Sequence, residues 1–179
     1  MISSLLLFCG SRAGHDPAHA ALARGLGRLL AARGVTLIYG GGGIGLMGEA
    51  ARAALAGGGK VIGIIPRSLM REEVAQKGLT EMHVVETLHV RKALMHDLAD
   101  AVIALPGSIG TLDELFETMT WRELGVHAKP IYLLGDHGYW QPFLKLLAHL
   151  DAEGFAPPDL YSLIEPLDSL DMLASRLSG

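Results

Sequence analysis

Two glycine-rich stretches and a few charged positions carry the chemistry in this sequence. Gly40 to Gly48 and Gly107 to Thr111 each stand between an apolar run and an amphipathic one. Glycines let a backbone approach a ligand closely, and the free amides at a helix start attract anions. The N–H groups of Ser108, Ile109, Gly110 and Thr111, with the Ser108 and Thr111 hydroxyls, would form a phosphate cradle. Arg91 and Lys92 come early in an expected helix, where cations oppose the helix dipole. An anion nearby would relieve that conflict, and arginine grips phosphate or carboxylate with two hydrogen bonds. A solvated basic turn is the plainer reading of the same pair. Glu114 also reads two ways. Thr111-x-x-Glu114 has the spacing of a capping box, which makes the glutamate structural. Facing a phosphosugar, the same carboxylate would stabilise a cationic sugar transition state or handle a proton.

Other chemistries fit less well. Gly43-Ile44-Gly45-Leu46-Met47-Gly48 matches the dinucleotide fingerprint in form, but it follows the second expected strand and Pro66-Arg67 stands where a ribose-binding acid is needed. No Gly-Lys-Ser/Thr closes the loop as in a P-loop. Four consecutive glycines exceed what a turn needs, so Gly41, Gly42 and Gly43 read as backbone contacts to a ligand. His15 and His19 are four apart, but Pro17 and a helix start between them argue against a zinc pair, and no other histidine spacing suggests a metal. Cys9 ends an apolar strand without an obvious base and reads as a small core residue. There is no Gly-x-Ser-x-Gly elbow. A net charge of −4 and few aromatic residues offer no nucleic-acid platform.

The elements that would position these residues alternate strictly. Strands are expected at Leu5–Cys9, Val35–Tyr39, Lys60–Ile65, Met82–Val85, Asp100–Leu105 and Lys129–Leu134, with a short last one at Leu160–Ile164. Helices are expected from Pro17 to about Arg33, after Gly48 to about Ala56, and at Thr87–Leu98, Thr111–Leu124 and Tyr139–Glu153. Asp168-Ser169-Leu170-Asp171 opens a terminal helix with a capping-box pattern, and Arg67–Gly78 reads as a loop or short helix over the site. The strands are continuous apolar runs, as in a parallel sheet buried on both faces. The expectation is an α/β protein: one domain over residues 1–179 with a Rossmann-like, doubly wound parallel sheet. No apolar run is long enough to span a bilayer, the N-terminus lacks a basic segment before its apolar run, and the single cysteine excludes an internal disulfide. A soluble, cytoplasmic protein is the resulting expectation.

Pro106-Gly107-Ser108-Ile109-Gly110-Thr111-Leu112-Asp113-Glu114 resembles the PGGxGTxxE signature of the Lonely Guy (LOG) family, cytokinin riboside 5′-monophosphate phosphoribohydrolases whose bacterial members were long mislabelled lysine decarboxylases. Phe8-Cys9-Gly10-Ser11, Tyr39-Gly40-Gly41-Gly42, Gly45-Leu46-Met47-Gly48, Gly63-Ile64-Ile65-Pro66 and Thr120-Trp121 agree with it. The family motif MHxRK reads Leu88-His89-Val90-Arg91-Lys92 here. The resemblance implies that Arg91 and Glu114 are a catalytic pair in a Rossmann-like homodimer that hydrolyses the N-glycosidic bond of an adenine-type nucleoside 5′-monophosphate. Gly10, Ser11, Gly41, Gly42, Gly43, Met47, Lys92 and residues 107–111 would contact substrate, without metal or cofactor. Met95, Met119 and Trp121 are further candidates for a base pocket, and equally for core. Ser108 replaces the second motif glycine, which adds a Cβ and a hydroxyl in the phosphate loop. That departure keeps a second expectation in play, a non-catalytic nucleotide or molybdenum-cofactor carrier of the same fold. A pyridoxal-dependent decarboxylase is rejected, because Lys92 and Lys129 lack a Schiff-base context.

Overall fold

The computed structural model describes residues 1–69, 75–135 and 138–177. Strand and helix alternate as β1 (Ser4–Phe8), α1 (Pro17–Arg33), β2 (Thr36–Tyr39), α2 (Gly45–Ala56), β3 (Val61–Pro66), β4 (Glu81–Val85), α3 (Leu88–Leu98), β5 (Ala101–Ala104), α4 (Ile109–Glu123), β6 (Ile131–Leu134), α5 (Gln141–Ala152), β7 (Glu165–Leu167) and α6 (Leu170–Leu177). The sheet order is β4-β3-β2-β1-β5-β6-β7, and every neighbouring pair is parallel. This is the Rossmann-like, doubly wound arrangement that the sequence predicts. The chain winds outward from β1 to β4, then returns through α3 to place β5 on the other side of β1. The β1/β5 crevice is therefore the topological switch point, where ligands of open α/β sheets bind.

Both faces of the sheet are covered, which explains the continuous apolar strands. Leu5, Leu7 and Cys9 of the β1 segment pack with α1, α2 and α6, while Leu6 and Phe8 pack with α3, α4 and α5. The helix boundaries follow local chemistry. Asp16 caps α1 by accepting from Ala18 N at 2.8 Å, with Pro17 in the first turn. Gly34 closes α1 in the left-handed conformation. Ser169, rather than Asp168, caps α6 by accepting from Met172 N at 3.2 Å.

The end of the chain departs from expectation. Leu160–Leu163 forms a 3-10 turn, and the last strand is Glu165–Leu167. Leu160 and Leu163 are both buried, a three-residue spacing that suits a 3-10 turn and not a strand. Pro166 is tolerated because β7 lies at the sheet edge. Of the segment 67–78, Arg67–Leu69 is a 3-10 turn and residues 70–74 lie outside the described residues. Beyond them, Gln76 N donates to Gly41 O at 2.9 Å, so residues 75–76 lie against the glycine loop after β2.

Candidate active site

Three loops meet at the carboxyl ends of β1, β2 and β5. Gly10 N donates to Pro106 O at 2.9 Å, and Leu46 N donates to Gly10 O at 3.0 Å. These bonds lace the first loop to the other two. Two cavities open there and share Ser11. The larger, about 690 Å³, lies between the start of α1 and the β5 loop and is bordered by Gly10, Gly107, Ser108 and Gly110. The smaller, about 450 Å³, is bordered by Gly40, Gly42, Met47 and Arg91. Gly41, also among the expected contacts, is buried in the same loop, and Gly43 is held there by Arg52, which donates to its carbonyl at 2.9 Å.

Helix α4 starts two residues earlier than the sequence suggests. Ser108 is its N-cap and Ile109 its first residue, and the first backbone bond at this end runs from Leu112 N to Ser108 O. The amides of Ile109, Gly110 and Thr111 precede that bond and have no intrahelical acceptor, which makes this end a site for an anion. Thr111 thus lies inside the helix, and Glu114 stands in its second turn. The capping-box reading of Thr111 and Glu114 is corrected on that ground: a side chain so far into the helix does not satisfy its first amides. The Thr111 side chain instead packs under Gly107, where a Cβ would lie 2.0 Å from the Thr111 hydroxyl. Only a glycine fits at 107. Ser108 has a φ of −114°, open to any residue, so the serine brings no backbone strain. Its side chain makes no capping bond and is exposed at the cavity.

Arg91 reaches the site from α3, whose N-terminus is capped by Thr87 through Val90 N at 3.2 Å. Its Nε donates to Ile64 O at 3.1 Å and its Nη2 to Gly40 O at 3.3 Å. Among the described residues these are its hydrogen bonds, and Arg91 borders the smaller cavity. Lys92 turns elsewhere. Its Nζ lies 2.7 Å from Asp113 and 3.2 Å from Glu117, and its side chain is mostly buried between α3 and α4. Lys92 is therefore a bridge to the helix of Glu114, and its charge is already engaged.

Glu114 is partly buried, and burial pushes its carboxyl up to about 7. Arg91 and Lys92 oppose that rise, and Asp113 and Glu117 add to it. A carboxyl poised near neutrality within the field of an arginine suits proton transfer or the stabilisation of a developing cation. Cys9 is buried at the end of β1, and burial, with the Glu114 charge in second place, pushes its thiol up, away from a nucleophilic thiolate. Met95 and Met119 belong to the core, leaving Met47 as the methionine that borders a cavity. Trp121 packs edge-on against His96.

Sequence reasoning missed one wall of the larger cavity. His15, Asp16, His19 and Tyr139 line it. The Tyr139 hydroxyl accepts from Gly107 N at 3.1 Å and also bonds the Gly107 carbonyl. The amide of Gly107 is thereby engaged, while Ser108 and Gly110 after it line the cavity. His15 and His19 had a signal only as a weak metal pair, and Tyr139 carried none. Among the described residues, no three His, Cys, Asp or Glu side chains gather as a metal site requires.

Comparison with known proteins adds to this geometry. The family model described as "Possible lysine decarboxylase" matches residues 47–177. The chain is 49% identical over 156 residues to the cytokinin riboside 5′-monophosphate phosphoribohydrolase of Rhodococcoides fascians, covering 87% of this chain and 79% of that protein. It is 42% identical over 173 residues to a cytokinin riboside 5′-monophosphate phosphoribohydrolase of Arabidopsis thaliana, covering 97% and 81% respectively. Among solved structures, the molybdenum cofactor binding protein of Rippkaea orientalis matches with a TM-score of 0.73 at 21% identity, covering 99% of this chain and 97% of that one. At that identity the likeness shows the fold alone.

Proposed function

The chain belongs to the Lonely Guy family, and on that premise we propose that it hydrolyses the N-glycosidic bond of an adenine-type nucleoside 5′-monophosphate, with an N6-modified or plain base, releasing the free base and ribose 5-phosphate. The observation that carries the mechanism is that the charge of Arg91, on α3, acts on the buried carboxyl of Glu114, on α4, the helix whose first amides lie open to an anion. The phosphate sits on the amides of Ile109, Gly110 and Thr111, with the Ser108 hydroxyl beside them. Gly10 and Ser11 and the loop of Gly41, Gly42 and Gly43 flank the ribose, and Met47 contributes apolar surface to the smaller cavity. As the bond between C1′ and the base nitrogen breaks, C1′ takes on oxocarbenium character, which the Glu114 carboxylate stabilises. Water then bonds to C1′ and gives one proton to Glu114, the departing base takes up one proton from solvent, and Glu114 returns its own to solvent, so that one water is consumed per bond broken. Arg91 faces the ribose and phosphate with its unused donors. Phosphate contacts remote from the reacting bond supply the binding energy for this positioning.

The carrier reading has the Rippkaea orientalis protein as a distant structural neighbour, but nothing in this site favours it over hydrolysis. The decarboxylase label finds no support in Lys92 or Lys129, whose ammonium groups are bonded to Asp113 and Glu117 and to the His96 carbonyl.

Residues 1–179 act as one nucleotide-binding domain in this reading, without cofactor, membrane or nucleic acid, and in the cytoplasm. A net charge of −4 offers no general attraction to nucleic acid, and among the described residues no helix is long and apolar enough to cross a membrane. A homodimer is the assembly proposed; the exposed Val84, Leu88 and Val90 along one short stretch are surface a second copy would cover. Incubation with AMP and N6-isopentenyl-AMP, followed by chromatography, tests the activity. Free base from at least one is expected, and none from either at high enzyme concentration would refute it.

A further inference from the structure

Beneath Glu114, α3 and α4 are joined by a buried polar bridge that the reaction does not use directly. Thr118 is fully buried, and His96 is 6% exposed. The Thr118 hydroxyl lies 2.7 Å from the backbone carbonyl of Glu114 and 3.0 Å from His96 Nε2. A carbonyl only accepts, so the single hydroxyl proton goes to Glu114 O, and His96 Nε2 must donate to Thr118. The partners thus fix the tautomer of His96, and its Nδ1 has no hydrogen-bond partner among the described residues.

A second imidazole completes the arrangement. Lys129 N donates to His127 Nδ1 at 3.2 Å, so His127 carries its proton on Nε2, which donates to Thr118 O at 3.1 Å. The two imidazoles stack with centroids 5.5 Å apart. Thr118, one turn beyond Glu114, is therefore held at both of its oxygens. One of the holding residues, His96, sits on the same helix as Arg91.

Resting on the assignment of Arg91 and Glu114 to the reaction, we infer that Thr118 and His96 are positioning residues that fix the height of Glu114 along α4 relative to Arg91. Met95, Leu115 and Met119 press the two helices together in the core, but apolar contact is non-directional. A hydrogen bond restricts distance and angle, and the one from His96 crosses between the helices to Thr118, whose hydroxyl in turn bonds the Glu114 carbonyl one turn back. Lys92 ties the outer side of the same helices through Asp113 and Glu117. The buried bridge is costly, since an unpartnered imidazole nitrogen loses its hydration without compensation. An apolar pair would fill the same space without that loss. Burial also pushes His96 down to about 4, aided by the charges of His127, Lys129 and Lys92, so the ring stays neutral near pH 7 and keeps its donor on Nε2.

The test compares kcat and KM on whichever nucleotide the wild type cleaves, well below each variant's Tm. Thr118→Val removes the hydroxyl at nearly constant shape. It is expected to lower kcat by about thirtyfold while KM stays within about threefold, because misplacement of a reacting group acts on the transition state. Thr118→Ser restores the hydroxyl and is expected to recover kcat to within about threefold of wild type. His96→Gln, whose amide nitrogen donates from a similar place, is expected to retain more kcat than His96→Leu. A folded Thr118→Val with wild-type kcat, or a Thr118→Ser as impaired as Thr118→Val, overturns the inference. Should Thr118→Val not fold, equal kcat in the two His96 variants overturns it. Glu114→Gln in the same assay separates the failures. An inactive Glu114→Gln beside an unimpaired Thr118→Val refutes the positioning role alone, whereas a fully active Glu114→Gln refutes the reading beneath it.

Discussion

A Cβ placed on Gly40 would lie 1.8 Å from Nη2 of Arg91, the same nitrogen that donates to the Gly40 carbonyl at 3.3 Å. The glycine loop after β2 is therefore shaped around an arginine from α3. Gly40→Ala is expected to displace the guanidinium and lower kcat/KM by about a hundredfold, as angstrom-scale misplacement of a catalytic group does. A folded Gly40→Ala enzyme with near-wild-type kcat/KM would show that Arg91 need not hold this position.

The carboxyl of Glu114, raised from 4.5 to about 7 by burial, gives two pH dependences. With the carboxylate as the working form, kcat rises with pH through about 7, and this limb is absent from any residual activity of Glu114→Gln. The stability effect has the opposite sense. Between pH 4.5 and about 7 the unfolded chain has released this proton while the folded one holds it, so this group's contribution to stability is lost as pH rises through that window. Glutamine mimics the neutral carboxyl. Glu114→Gln should match wild-type Tm near pH 4.5 and exceed it by roughly 3 °C or more above pH 7. A constant Tm difference across the range contradicts the assignment.

Lys92 distinguishes a structural bridge from a substrate contact. Its raised pKa reflects bonds to Asp113 and Glu117, which outweigh the opposing and larger single effect of burial. Lys92→Met is expected to leave the nucleotide KM within about threefold and to move the Glu114 limb of the pH profile upward, since two carboxylates lose their cation. A KM raised about tenfold or more with an unmoved limb would return Lys92 to the phosphate.

Ser108 stands where the family signature has glycine, at a φ of −114° that serine adopts freely. Ser108→Gly is therefore expected to keep kcat/KM within about threefold and to cost only a few tenths of a kcal/mol in stability, because the serine makes no capping bond. A large gain in kcat/KM would show instead that the Ser108 side chain crowds the phosphate.

The parts of this architecture that rest on local chemistry were legible in the sequence. Continuous apolar runs gave the buried parallel strands, and Asp16-Pro17 and Gly34 marked both ends of α1. What depended on distant partners was not legible. Thr111-x-x-Glu114 has the spacing of a capping box wherever it occurs, but it works as one only at a helix start, and α4 starts at Ile109. The charge of Lys92 looked available because Asp113 and Glu117 lie on another helix. Tyr139 belongs to no motif, yet it holds Gly107 at both backbone polar groups. Leu160–Ile164 read as a strand from apolar content alone, which in so short a segment does not separate a strand from a 3-10 turn.

Cleavage of a nucleoside 5′-monophosphate by Glu114, with the charge of Arg91 acting on it, has one decisive test. Its most direct measurement is the rate of free-base release from AMP and N6-isopentenyl-AMP by the wild type and by Glu114→Gln under identical conditions. Base and ribose 5-phosphate are expected in equal amounts from the wild type, with a rate reduced by about a thousandfold or more in the variant. Equal rates from the two proteins, or no base from either substrate with the wild type, would contradict it.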